Sequence, residues 1–331
     1  MTDRQTGEST PAASLARIRA PRMQVAAVRD YGIVFAFLAM FITLSISSPV
    51  FFTSANLLNV LNQSSEVGII AAAGTLVVIA GGFDLSVGAV YAVCGVVAAQ
   101  AAPHVGVVPA LVSGVLVGLG FGICNGGIVT LGRINPFVAT LASSIIVRGI
   151  ALVLTGGTLI TVQTPGFGSL GQGSILTIRY AIIVWLVFTL LMAFLLARTT
   201  LGRYVYAVGG NAEAARLSGI RVGLVRGTTF ALSGLAAGLA GVVVASRVST
   251  GQADTGAGLE LAAIAAIVIG GTTILGGEGA VWRTVLGVLL ITLIGNGFNL
   301  LNVDPTYQQI FQGIIILFAV GIDAWARRNR R

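Results

Sequence analysis

The 331-residue sequence contains no lysine, one histidine (His104) and two cysteines, and only 9% of its residues are charged. Each shortage excludes something. Without lysine there is no G-x-x-x-x-G-K-[ST] phosphate loop, so the chain cannot hydrolyse ATP by that route. One histidine, with Cys94 and Cys124 in separate apolar runs, supplies no His/Cys metal cluster. The same cysteines suggest two small buried thiols and not a disulfide framework. No G-x-S-x-G elbow occurs, and enzymatic chemistry has little support.

The scarcity of charge sets the class. Soluble domains carry about 25% charged residues. A chain that is 56% hydrophobic, with mean hydropathy +0.96, cannot cover a water-facing surface. Long stretches such as Tyr31–Ser65, Val67–Phe83 and Leu85–Gly132 hold no Asp, Glu or Arg. A spanning helix needs about 20 apolar residues, so several stretches fit one span and Leu85–Gly132 fits two. Barrel strands of about ten residues would be interrupted far more often. The expected fold is an all-α polytopic membrane protein in contact with lipid.

All nineteen basic residues are arginine. In a soluble protein the net charge of +8 would suggest nucleic acid, but here its distribution matters more. Arginines cluster before residue 30, from Arg198 to Arg226, and from Arg327 to Arg331. Placing these groups in the cytoplasm satisfies the positive-inside rule, makes the number of crossings even and puts both termini inside. Ten spans follow, near 31–49, 66–80, 86–103, 107–130, 136–155, 178–197, 227–247, 258–270, 281–301 and 307–323. Only Arg148, Arg179 and Arg247 then fall near the outer side. Residues 1–30 read as a flexible cytoplasmic arm, 31–325 as one membrane domain and 326–331 as a basic tail. Ser54 is the expected N-cap of a short helix, 55–63, lying outside the membrane core.

Glycine is plentiful, at 45 residues, and partitions between turns and spans. As one helix, 66–103 would be about 57 Å long, nearly twice the hydrocarbon core, so Gly81-Gly82 should turn the chain. Gly270-Gly271 and Gly276-Gly277 mark a second such turn, and Asn135-Pro136 opens a span with proline near its first turn. The echo between Ile79-Ala80-Gly81-Gly82 and Ile269-Gly270-Gly271 suggests two inverted five-helix halves, with coincidence as the alternative. Gly118/Gly122 and Gly234/Gly238 form G-x-x-x-G pairs, either tight packing contacts or seams that open.

Few polar groups lie within the apolar stretches. Asp84, beside the Gly-Gly break and almost the only acid at a midspan position, is either a cap for the next helix or a gate. Asn125, Asn296 and Asn299 either line a translocation path or bond across helices. Residues 209–220 read as a short capped helix, with Asn211 as N-cap, Glu213 at its positive end and Gly219 after its last turn. Such a helix is either a docking knob for a cytoplasmic partner or an ordinary connector.

Taken together, Ser54–Leu61, Gly81–Gly88, Asn125-Gly126, Asn135–Leu141, Gly210–Ile220, Ile269–Thr272, Gly276-Gly277 and Asn296–Leu301 resemble the permeases of monosaccharide (ribose-type) ABC importers over about 31–325. The resemblance implies an inner-membrane permease subunit that passes a sugar or sugar-like solute by alternating access. It implies two cytoplasmic ATPase subunits that bind ATP and Mg²⁺, so that this chain needs no cofactor. They would dock on a coupling loop containing Asn211, Glu213, Ala214, Ala215, Arg216 and Gly219. It also implies a periplasmic or extracellular solute-binding protein and a second permease subunit, identical or different. Glu278 stands where relatives often carry a basic residue. An ion-coupled secondary carrier is the competing expectation.

Overall fold

The computed structural model describes residues 21–304 and, beyond them, Tyr307, Ile310, Phe311, Gly313, Ile314, Leu317 and Gly321, with side chains from Tyr31 onward. Most of the expected arm 1–30, the span 307–323 and the tail 326–331 lie outside the described residues. Within them the chain is helical throughout its apolar stretches. In order come α1 (Pro21–Ser47), α2 (Ser54–Ile79), α3 (Val87–Val105), α4 (Val107–Thr130) and α5 (Pro136–Thr155). Next is an irregular segment with β1 (Ile160–Thr161), the one-turn α6 (Ser169–Gln172), β2 (Ser174–Ile175) and β3 (Ile178–Arg179). Then follow α7 (Tyr180–Arg198), α8 (Thr200–Gly210), α9 (Ala212–Leu217), α10 (Val222–Val248), β4 (Thr250–Gly251), α11 (Leu259–Ile269) and α12 (Val281–Leu300).

Among the described residues, seven helices are long and apolar enough to cross a membrane: α2, α3, α4, α5, α7, α10 and α12. Tyr31–Ser47 and Leu259–Ile269 are shorter apolar helices. At 11 residues, α11 is about 17 Å long, half a bilayer core. The irregular backbone before it is held from inside the bundle: Arg148 of α5 donates to the carbonyls of Ala253 and Thr255. Non-helical backbone at membrane depth requires such internal partners.

Two expected boundaries change. The short helix 55–63 and the span 66–80 are one 26-residue helix, α2, about 39 Å long. Nothing between them breaks a helix, and the polar Asn62, Ser64, Ser65 and Glu66 are buried, while Gln63 is exposed. The N-cap of α2 is Thr53, not Ser54; its hydroxyl accepts from the amide of Asn56. The single stretch Leu85–Gly132 does divide in two, at Gly106, whose φ of +82° suits glycine.

Helices α2, α3 and α10 form the centre, with 78%, 72% and 72% of their apolar windows buried. The windows of α4 and α5 are only 22% and 28% buried, and their outward faces carry exposed residues such as Leu116, Ile123, Ile145 and Ile146. Such a surface suits lipid, where apolar exposure has no cost. Cys124 lies on that outward face of α4, so only Cys94 is the buried thiol the sequence suggested.

The G-x-x-x-G pairs pack on one another. A Cβ on Gly118 would fall 2.5 Å from the carbonyl oxygen of Gly234, and one on Gly122 would fall 2.9 Å from the Gly234 Cα. Backbone approaches this close are possible only between glycines. Gly126 against Gly227 continues the seam toward the ends of α4 and α10 where Arg133 and Arg226 lie.

Both Gly-Gly turns end their helices in the same way. Gly81 and Gly271 share φ +79°. Their amides donate three residues back, to Val78 and Val268, while Gly82 and Thr272 donate five back, to Val77 and Ile267. These are two Schellman stops. They close at the same end of the bundle, where the second glycine-rich turn touches the first: the Gly277 amide donates to the Ile79 carbonyl at 2.8 Å. The echo therefore relates segments running in the same sense and is not itself a mark of inversion.

Candidate functional site

The first Gly-Gly turn, 79–86, is the point on which the sequence motifs converge. From α10, Arg226 Nε donates to the Ala80 carbonyl at 3.2 Å. From α5, Thr140 donates to Phe83 O at 3.2 Å. Asn135 caps that helix, accepting from the Phe137 amide, with Pro136 in its first turn. This explains why Asn-Pro precedes Thr140: the cap and the fixed proline φ aim α5 at the turn. Asp84 Oδ1 accepts from the amide and the hydroxyl of Ser86 at 3.0 and 2.6 Å, and Asn125 of α4 donates to that hydroxyl at 2.8 Å. Asp84 thus orders the turn leading into α3 through Ser86; it is not the helix cap raised as an alternative by the sequence, because no side chain bonds the first amides of α3. Asn125 bonds across helices.

The segment between α7 and α10 rests on the same turn. Gly209 is packed so closely that a Cβ there would sit 1.7 Å from the carbonyl oxygen of Ile79. Tyr206 donates to the Gly279 carbonyl at 2.8 Å, joining α8 to the second glycine-rich turn. There Gly276 and Gly277, at φ +87° and +79°, let the backbone fold against Ile79 and Gly210. A Cβ on Gly270 would meet the Arg283 carbonyl oxygen at 2.7 Å. Helix α9 follows. Asn211 accepts from the amides of Glu213 and Ala214 at 3.1 and 3.0 Å, and Glu213 pairs with Arg216 at 2.6 Å. Gly219, at φ +83°, donates to Arg216 O, while Ile220 donates to Ala215 O, another Schellman stop. Ala215 is buried, while Glu213, Arg216 and Leu217 face outward. The guanidinium of Arg216 is held above its usual range by Glu213. Helix α9 is therefore a capped knob whose inner side leans on the bundle and whose outer side is open.

The other expected path residues do not join this hub. Asn296 forms a reciprocal amide pair with Asn56, at 3.1 and 2.8 Å, near the opposite end of α2, and Asn56 also donates to Phe51 O. Asn299 is exposed and takes no part.

Sequence reasoning missed an ion pair between a buried carboxylate and a partly buried arginine. Glu66 of α2 pairs with Arg247 of α10 at 2.6 Å and accepts from the Tyr91 hydroxyl of α3 at 2.6 Å. Asp84 is thus not almost alone as a midspan acid. The pair reaches outward too: Gln172 donates to Arg247 O, and Ser246 binds the Gly171 amide and the Phe167 carbonyl. The signal was present, since Glu66 is the only acid between Tyr31 and Phe83. Its partner, 181 positions away, could not be identified from spacing.

Comparison with known proteins follows the same residues. A family model described as branched-chain amino acid transport system / permease component matches 56–320. The ribose import permease of Escherichia coli K12 is 40% identical over 295 residues, covering 87% of this chain and 91% of that protein. The L-arabinose ABC transporter permease of Azospirillum brasilense is 39% identical over 329 residues, 99% and 97% of the two chains. The D-allose transport system permease of Escherichia coli K12 is 38% identical over 282 residues, 84% and 86%. No solved structure matches. With the family model spanning nearly all the described helices, the chain belongs to the permease-component family of ABC import systems.

Proposed function

We propose that the chain is the translocating subunit of an ATP-driven sugar importer, working with separate ATPase subunits, a solute-binding protein and a second permease subunit. The observation that carries this reading is the seating of α8, which leads into α9, on both Gly-Gly turns. A partner pressing on Glu213, Arg216 and Leu217 moves the end of α2 through α8, whose Gly209 rests on Ile79. Helix α2 is one rod about 39 Å long, so motion at Ile79 reaches Glu66 and Asn56 without a joint. At Glu66 it meets Arg247, whose carbonyl holds the outer segment through Gln172. ATP and Mg²⁺ belong to the partner ATPase. Relatives named for ribose, arabinose and allose support a monosaccharide as the solute class.

In this reading the arginine-rich end, with α9, Arg133 and Arg226, faces the cytoplasm of a bacterial inner membrane, and both termini lie inside. Ten crossings follow if α1, α11 and the stretch 307–323 each complete one. Inverted halves are supported by matched packing, though not by the turn echo. Helix α4 packs on α10 as α12 packs on α2, α3 on α10 as α11 on α2, and α3 on α4 as α11 on α12. The exchange pairs α2–α4 with α10–α12.

Reconstitution of the chain with its ATPase and binding protein, followed by a sugar screen for stimulated ATP hydrolysis and uptake, tests the proposal. A stimulating monosaccharide is expected. Uptake driven by a proton gradient in vesicles lacking ATP would overturn it in favour of an ion-coupled carrier.

A further inference from the structure

We infer that the arginine-rich end carries a binding site for the phosphate headgroup of an anionic phospholipid, at the foot of the α4–α10 seam. A cavity of about 470 Å³ opens there between the α4–α5 turn and the start of α10. Arg133 and Arg226 both line it, and no Asp or Glu is among its lining residues. Neither arginine has a carboxylate partner among the described residues; Arg226 spends Nε on Ala80 O, while Arg133 is exposed. Val222 and Gly223 also line the cavity, in the first turn of α10, which has no side-chain cap. The Val222 amide is taken by the Ile220 carbonyl, and the amides that follow it in this turn favour an anion.

Two further features favour a lipid over a free anion. Beside the polar Thr130 and Asn135, the rest of the wall has an apolar part from Val129, Ile134, Pro136 and Val222. Around the mouth, Leu131, Phe137 and Leu224 are exposed, offering acyl chains a surface continuous with the headgroup pocket. The backbone also commits to this placement. Arg133 adopts φ +53°, a left-handed conformation usually given to glycine or asparagine. Tolerating arginine there points to a role for its charge. The inference rests on the membrane-spanning reading, but not on which solute is carried. Because Arg226 also holds the first Gly-Gly turn, a phosphate bound here lies one side chain from the hub.

The test is lipid retention by the purified permease, read by native mass spectrometry, with phosphatidylglycerol against phosphatidylcholine of the same chains. Selective retention of phosphatidylglycerol is expected. Arg133→Asn, which suits the left-handed backbone, should weaken it about fivefold, the effect of one basic group near a charged lipid surface. Arg226→Gln should weaken it similarly, and Arg203→Gln, an exposed residue of α8, should not. If Arg226→Gln disturbs the fold, Arg133→Asn alone decides. Two results would overturn the inference. The first is unchanged retention in Arg133→Asn; should capture of the ATPase subunit weaken in that variant instead, the cavity is a protein-docking surface. The second is displacement of the lipid by millimolar inorganic phosphate, which would make this a free-anion site. Because no transport is measured, failure here is distinct from failure of the importer reading.

Discussion

Adjacent glycines in α8 give opposite forecasts. Alanine at position 209 would place its Cβ 1.7 Å from the Ile79 carbonyl oxygen, whereas alanine at 210 would meet nothing within 4 Å. A Cβ needs at least 3.0 Å, so Gly209→Ala must push α8 off the turn by 3.0 − 1.7, about 1.3 Å. Overpacking of this kind costs about 1–3 kcal/mol. The shift also stretches the Tyr206–Gly279 hydrogen bond, for about 1 kcal/mol more, while alanine returns at most about 1 kcal/mol of helix propensity. The net loss is about 2 kcal/mol, roughly a thirtyfold shift against the seated position of α8. Gly210→Ala should be neutral or slightly stabilising. Sugar uptake in reconstituted vesicles, with thermal unfolding of each variant in detergent, reads both. Gly209→Ala should lose at least ten-fold in uptake, while Gly210→Ala should match the parent. Equal behaviour of the two variants would refute the claim that contact with Ile79 transmits motion.

Removing one partner of the Glu66–Arg247 pair, as in Arg247→Ala, should cost about 3–5 kcal/mol of stability, whereas Glu66→Leu with Arg247→Met should recover most of it; a double-mutant cycle by chemical unfolding reads the difference. Gly118→Val should separate α4 from α10 and lower the unfolding temperature, while Gly120→Val, which faces open space, should change it little. Asn211→Ala removes the α9 cap and should cost about 1 kcal/mol locally, with weaker ATPase capture, and Asn211→Asp should preserve both. Asn56→Ala should leave the Asn296 amide unsatisfied and destabilise the chain by about 1–3 kcal/mol, measured by the same unfolding assay.

Several features were decided by local sequence. The length of uncharged stretches determined that the chain crosses a membrane, because each backbone polar group in lipid must be bonded within a helix. Glycine pairs located both turns, since a left-handed residue ends a helix wherever it stands. Asn211 and Gly219 bounded α9 for the same local reason. Other features needed the tertiary structure. Whether Asp84 caps or gates, and whether Asn125 and Asn296 bond across helices, depended on which helix faced them. The fusion of 55–63 with 66–80 depended on burial of Asn62, Ser64, Ser65 and Glu66 by distant helices. The ion pair shows the limit most plainly. A carboxylate at position 66 is visible in a sequence without charged neighbours, but its tolerance rests on Arg247, brought to 2.6 Å only when α10 packs on α2. Periodicity and caps act over a few residues, whereas desolvated charge is compensated by whatever the fold places beside it.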